Sequence, residues 1–150
     1  MNMKTFPICV AAAILLAIAG QALARHVTHP VTPKNIDAQP FAFTLQVKDV
    51  GELKEFEITV KQKAGQRAPV GTATGRAVID ASGKKKPASP AITKVQSDGV
   101  QTYTFRLSAS DLDRAHFTFT ETSQDARIPF PSPGDYWVFD LSDFVSSAKK

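Results

Sequence analysis

The residue types that most often do chemistry in proteins are few in this sequence of 150 residues. It has three histidines and one cysteine, and no G-x-S-x-G segment that would hold a nucleophilic serine on a tight turn. Only His116 falls in a stretch with strand patterning, where it alternates with phenylalanines and is expected to face outward. No pair of carboxylates is singled out by its spacing. The sequence therefore predicts a protein that is not an enzyme and that needs no cofactor.

Two histidines near the amino-terminal end are the candidate metal ligands. His26 and His29 are three residues apart, and removal of a leader after Ala24 would place a free amine beside them. Imidazole and amine nitrogens suit copper, nickel or zinc. Because no third side-chain ligand is specified, the competing interpretation is a solvated, proline-rich linker that carries two histidines.

Basic residues are concentrated in the middle of the chain. Residues 61–94 carry eight lysines and arginines against one aspartate, whereas 25–60 and 95–150 each carry more acidic than basic groups. If the strands of this stretch adjoin, one side of the domain attracts an acidic protein or an anionic envelope component. The alternative is that these lysines keep edge strands from pairing with other chains. The candidate contact residues are Arg76, Lys84, Lys85, Lys86 and Lys94.

A phenylalanine in a proline-rich loop is a further candidate contact. Phe130 lies between Pro129 and Pro131 in the predicted loop 123–134. Long loops of this kind often contact partners. The alternative is that Phe130 packs within its own loop and covers one end of the domain.

Residues 1–24 have the three-part pattern of an export signal. Lys4 gives a positive start, residues 8–19 are an unbroken apolar run, and small residues precede a cleavage site after Ala24. The apolar run is too short for a membrane anchor, and no other stretch comes near that length. Cleavage also removes Cys9, so the mature chain is expected to lack thiols, which favours a bacterial periplasmic or secreted protein. Export separates such a protein from nucleic acid, which is not an expected partner.

The rest of the chain divides into a proline-rich lead-in at 25–40, a folded domain at 41–145 and a polar tail at 146–150. The prolines of the lead-in favour extended, polyproline-like backbone that tethers the domain or lies across its edge. In the domain, apolar residues recur at every second position, which is typical of half-buried strands. Strands are predicted at residues 41–47, 55–61, 70–81, 91–96, 100–108, 115–120 and 136–141.

Seven short strands without a stretch of helical period predict an all-β fold, namely a single antiparallel β-sandwich of immunoglobulin-like architecture. Tyr136 is a candidate for the tyrosine corner of that architecture. Together these features predict an exported, non-catalytic binding or structural module of the bacterial envelope or exterior. The alternative is a small-ligand or metal-binding periplasmic protein that uses His26 and His29.

Overall fold

The computed structural model describes residues 27–65, 73–123 and 132–147. The predicted export signal, His26 and Phe130 lie outside the described residues. Within them the chain is all-β, as the period-two pattern predicts. The strands are β1 (Thr28–Val31), β2 (Phe41–Val50), β3 (Leu53–Gln62), β4 (Thr74–Ile79), β5 (Ile92–Ser97), β6 (Val100–Ser108), β7 (Ala115–Ser123) and β8 (Ser132–Asp140).

These strands form two four-stranded sheets. Sheet 1 has the order β1-β8-β7-β4, and sheet 2 has the order β2-β3-β6-β5. Short turns set the register of the hairpins: β5 and β6 flank Asp98-Gly99, whose φ angles of 50° and 74° fit a type I′ turn. One 3₁₀ turn, Ile36–Ala38, links β1 to β2, and another, Ala109–Arg114, links β6 to β7.

The inward-facing side chains of the two sheets meet in one aromatic core. Phe105 of sheet 2 stacks on Phe117 of sheet 1 with ring centroids 5.9 Å apart, and Phe43 meets Phe139 edge to face at 5.2 Å. The alternation in the sequence identifies the inward face correctly on the long strands. Residues with no exposed surface include Phe56, Ile58, Val60, Phe117, Phe119 and Phe139. Two sheets packed on a shared core make the fold sandwich-like.

The lead-in does not form a separate polyproline segment, and the sheets are not wholly antiparallel. Its residues Thr28–Val31 form β1, which pairs in parallel with β8 and places Val31 in the core at 1% exposure. Thr28–Val31 thus lie along one edge of sheet 1. Pro30 is tolerated because β1 is the edge strand of its sheet, where a missing N–H need not break a ladder. The described residues thus hold eight strands rather than about seven.

A short helix follows β8 where the sequence predicts the end of a strand. Helix α1 spans Leu141–Ser147, and Asp140 accepts hydrogen bonds from the backbone N–H and hydroxyl of Ser142 at 3.1 and 2.7 Å. Leu141 is fully buried and Phe144 packs against Phe139. Two turns of helix are too short to show a clear helical period. No helix among the described residues has the length and apolar character to cross a membrane.

Candidate functional site

The connection between β4 and β5 begins with a small hairpin, residues 79–88, which we call the lysine hairpin. Ile79 and Ala88 exchange two backbone hydrogen bonds of 2.8 and 2.9 Å, and Ser82 and Lys85 exchange two more of 3.1 and 2.9 Å. Both pairs are isolated antiparallel bridges, and the three-residue step between them differs from the two-residue step of a regular ladder. The second bridge closes the two-residue turn Gly83-Lys84.

Glycine allows this tight turn. Gly83 has φ +57°, whereas Lys84 is not among the residues with positive φ, which is the pattern of a type II′ turn. Every residue from 81 to 89 is exposed, including Lys84, Lys85 and Lys86. The turn therefore displays three consecutive lysines on backbone that is held by hydrogen bonds.

Arg114 fixes the base of the lysine hairpin to the domain. The backbone N–H of Asp80 donates to the carbonyl of Arg114 at 2.8 Å, and Arg114 Nη1 donates to the carbonyl of Asp80 at 2.6 Å. The same guanidinium pairs with Asp111 at 2.6 Å. On the outer face of β7, His116 Nδ1 lies 3.5 Å from the Asp80 carboxylate. The base of the hairpin is thus held to the domain by hydrogen bonds of Arg114, whose charge is paired with Asp111.

The three lysines at the tip have no ion-pair partner among the residues that the structure describes. No carboxylate in the described part of the chain neutralises their positive charges. The hydrogen-bonded turn fixes the backbone positions from which the three lysine side chains project. Such a site can bind closely spaced carboxylates, phosphates or sulfates.

The structure does not gather all five predicted basic residues into one site. Arg76 lies exposed on the outer face of β4, in register with Thr118. Lys94 is used within the domain: its Nζ donates to the carbonyl of Ala73 at 2.9 Å and lies 5.7 Å from the centre of the Tyr103 ring. The candidate site is therefore the lysine triplet, and Lys94 instead ties β5 to the start of β4.

His29, one of the predicted metal ligands, contacts two side chains that the sequence did not indicate as its neighbours. Its Nε2 lies 2.9 Å from Oδ2 of Asp135, and its ring stacks on Trp137 with centroids 5.5 Å apart. Both groups of the pair are partly exposed. The described residues contain no cluster of three histidine, cysteine, aspartate or glutamate side chains that could hold a metal ion.

Trp137 completes this second site. It is 6% exposed, and its buried Nε1 has no hydrogen-bond partner among the residues that the structure describes. The alternation of β8 places Asp135 and Trp137 on one face, which the sequence could have revealed. Their approach to His29 depends on the parallel pairing of β1 with β8, which no local pattern indicates.

A buried polar pair lies near Lys94. The hydroxyl of Tyr103 donates to Gln101 Oε1 at 2.7 Å, and both residues have 1% exposure or less. Burial raises the pKa of Tyr103 to about 12, and a hydrogen bond with the backbone of Gly75 partly opposes this shift. A tyrosine that stays neutral at physiological pH and has no access to solvent has a structural role, because it joins β6 to β4.

Tyr136, the predicted tyrosine-corner residue, lies within β8, in register with Thr28 and Thr120. Comparison with known proteins adds no further information on the sites. No protein-family model matches the chain, and no curated protein or solved structure does.

Proposed function

We propose that this protein is an exported, non-catalytic binding module of the bacterial envelope or exterior, and that it binds an anionic partner through the lysine hairpin. The observation that carries the proposal is the display of Lys84, Lys85 and Lys86 on a hydrogen-bonded turn, without an ion-pair partner in the described parts of the chain. The leader-like pattern of residues 1–24 supports export.

The charge distribution supports a role for this region in attracting a partner. The lysine hairpin lies in the stretch 61–94, where basic residues outnumber acidic ones eight to one. Local positive potential speeds the encounter with an anionic partner and falls off over about 10 Å at 0.1 M salt. Binding through this site should therefore depend strongly on ionic strength.

The strand order supports an immunoglobulin-like classification of the domain. Sheet 2 has the order β2-β3-β6-β5, and β8-β7-β4 are neighbours in sheet 1. These orders correspond to strands A-B-E-D and G-F-C of the immunoglobulin architecture. In this classification β1 is an additional strand beside β8, and the lysine hairpin is part of the C–D connection. Domains of this kind often act as binding modules, although the fold alone does not define a partner.

Charge removal at the hairpin tests the proposal. The triple variant K84Q/K85Q/K86Q removes the three charges, and the triple variant K34Q/K48Q/K61Q removes the same charge from exposed lysines elsewhere. The probes are phosphatidylglycerol vesicles and poly-L-glutamate, each at low and high salt. We expect the purified protein to bind at least one probe at low salt and the hairpin variant to bind about tenfold more weakly.

The control variant should retain most of the affinity. Equal loss in both variants would mean that only net charge matters, and the assignment to the hairpin would be wrong. Absence of binding to either probe at low salt would also contradict the proposal.

A second candidate function is metal binding at His29. The 2.9 Å approach of His29 Nε2 to Asp135 Oδ2 favours it, because both atoms could bind one copper or zinc ion. His26 lies outside the described residues and would have to supply a further ligand. Trp137, the single tryptophan, stacks on His29 and would report binding of Cu²⁺ through quenching of its fluorescence.

Titration of the purified protein with Cu²⁺ separates this function from the first. Quenching that is lost in His29→Ala and retained in His116→Ala would support a site at His29. Quenching that is equal in both variants, or absent at micromolar Cu²⁺, would remove this candidate.

A further inference from the structure

Among the strands that the structure describes, β5 has a free edge in sheet 2, and this strand follows directly after the lysine hairpin in the chain. We infer that the partner is an acidic, extended protein segment, which adds to β5 as a further strand and places its carboxylates at Lys84, Lys85 and Lys86. This inference rests on the proposed function, because it assumes that the lysine hairpin binds the partner. It adds the chemical class of that partner and the way in which its backbone is held.

The turn between β5 and β6 identifies the backbone groups that are available for such pairing. Ser97 and Val100 flank a two-residue turn and therefore form a hydrogen-bonded pair. The pattern alternates along an antiparallel ladder, so Thr93, Val95 and Ser97 direct their N–H and C=O groups toward β6. Ile92, Lys94 and Gln96 direct theirs to the free edge. No backbone hydrogen bond to this edge is found among the described residues.

The side chains of β5 leave this edge accessible. All of its residues except Ile92 are exposed, and Val95 has 58% of its surface exposed. The outward-facing residues Thr93, Val95 and Ser97 are uncharged. A lysine on an edge strand commonly blocks pairing with other chains. Lys94 does not project from this edge, because its amine lies inward against the carbonyl of Ala73.

The edge and the lysine triplet can be reached by one segment. Only Pro87–Ala91 lie between Lys86 and the first residue of β5, a span of at most about 20 Å. A strand that pairs with β5 and reaches Ile92 therefore ends within about 20 Å of Lys86. Backbone hydrogen bonds would then hold the segment, and the charge of its side chains would select it.

Charge complementarity favours this occupant over two others. A second copy of the chain would bring another strongly basic stretch to the same place. A lipid surface could contact the exposed tip of the hairpin, but it has no backbone with which to pair along β5. An extended acidic polypeptide uses both features, since strand addition to an exposed edge is an established mode of peptide recognition.

The test uses an alternating glutamate–threonine peptide of about twelve residues, made from L-amino acids, and its D enantiomer. Electrostatic attraction to the lysine hairpin does not distinguish the two, because they carry the same charges. Strand addition favours the L form, because a strand of D residues has the opposite twist to β5. We expect the L peptide to bind at least about tenfold more tightly than the D peptide. We expect K84Q/K85Q/K86Q to weaken binding of both, while K34Q/K48Q/K61Q leaves it nearly unchanged.

Amide hydrogen exchange gives a second measurement that is independent of affinity. In the free protein the amides of Ile92, Lys94 and Gln96 should exchange rapidly, and those of Thr93, Val95 and Ser97 more slowly. Saturating L peptide should protect the first set at least about tenfold and change the second set little. Oligomeric state, measured by sedimentation, should remain that of the free protein.

Failure of this inference is distinguishable from failure of the proposed function. Equal binding of the two enantiomers, with unchanged exchange at Ile92, Lys94 and Gln96, would overturn strand addition while the hairpin variant still reports anion binding. Protection of these amides with association of two copies would assign the edge to self-pairing and also overturn it. Binding to neither peptide, but to phosphatidylglycerol vesicles, would replace the protein partner with a lipid surface.

Discussion

The ring of Tyr103 lies against the backbone of Gly75, in space that any larger residue would need. A β-carbon at Gly75 would lie 2.7 Å from Cε1 of Tyr103 and 2.5 Å from Cζ of Phe117. Tyr103 belongs to β6 in sheet 2, whereas Gly75 belongs to β4 in sheet 1. The missing side chain thus lets the two sheets approach closely beside the β5 edge, where Lys94 also crosses from one sheet to the other.

Substitution of Gly75 by alanine should destabilise the domain. The new methyl group would overlap two buried rings that have little room to move, and we expect a loss of about 2 to 3 kcal/mol in the free energy of unfolding. Urea denaturation monitored by circular dichroism measures it. Gly51→Ala is the control: its φ of +60° is strained for alanine but its surroundings are open, so it should cost only about 1 kcal/mol. A Gly75→Ala protein as stable as the wild type would contradict the close approach.

Stability should fall as the pH rises from 10 to 12. The pKa of Tyr103 is 10.0 when unfolded and about 12 in the folded protein. The neutral form is therefore favoured by folding, and this contribution is complete below pH 10 and lost as pH approaches 12. A shift of this size corresponds to about 2 to 3 kcal/mol. The difference in unfolding free energy between wild type and Tyr103→Phe should shrink over this range. A difference that is independent of pH would show that the phenol does not titrate with folding.

The same titration can be observed directly. The sequence has two tyrosines, so Tyr136→Phe leaves Tyr103 as the single tyrosine. Its ultraviolet absorbance should report ionisation near pH 12 while the protein remains folded. Ionisation near pH 10 in the folded protein would contradict the burial of this side chain.

Replacement by alanine should change the stability of the domain by different amounts at two valines of the amino-terminal segment. Val31 is 1% exposed in the core, whereas Val27 is 48% exposed. We expect Val31→Ala to cost about 2 kcal/mol through loss of buried apolar contacts, and Val27→Ala to change stability by less than about 0.5 kcal/mol. Urea denaturation of both variants provides the comparison. Equal, small effects would mean that β1 is not an integral strand of sheet 1.

The stack of His29 on Trp137 should be visible in tryptophan fluorescence. His29→Ala uncovers one face of the indole, so the emission of Trp137 should shift to longer wavelength. His29→Phe keeps a ring at this position but removes the hydrogen bond to Asp135. It should therefore preserve the emission and cost no more than about 1 kcal/mol of stability, because the pair is partly exposed. An unchanged spectrum in His29→Ala would contradict the stacked geometry.

Local patterns predicted the strands because burial of one face of a sheet requires apolar residues at every second position. Alternating aromatic residues predict both a strand and the face that it buries, as at Phe117 and Phe119 or at Trp137 and Phe139. The lysine triplet could likewise be identified as exposed, since it follows a glycine in a polar stretch. That Lys94 turns inward could not be predicted, because its acceptor is the carbonyl of Ala73, far away along the chain.

The sequence by itself determined the all-β class, the inward faces of the strands and the sites of the turns, because each depends on residues that are close in the chain. Only the tertiary structure decided that β1 runs parallel to β8, that His29 meets Asp135, and that the lysine hairpin lies beside an open strand edge. The first two relationships join segments that are distant in sequence, and the third depends on which strand lies at the edge of sheet 2. Their geometry follows from how the two sheets pack and which edge each strand occupies, and no period in the amino-acid pattern records it.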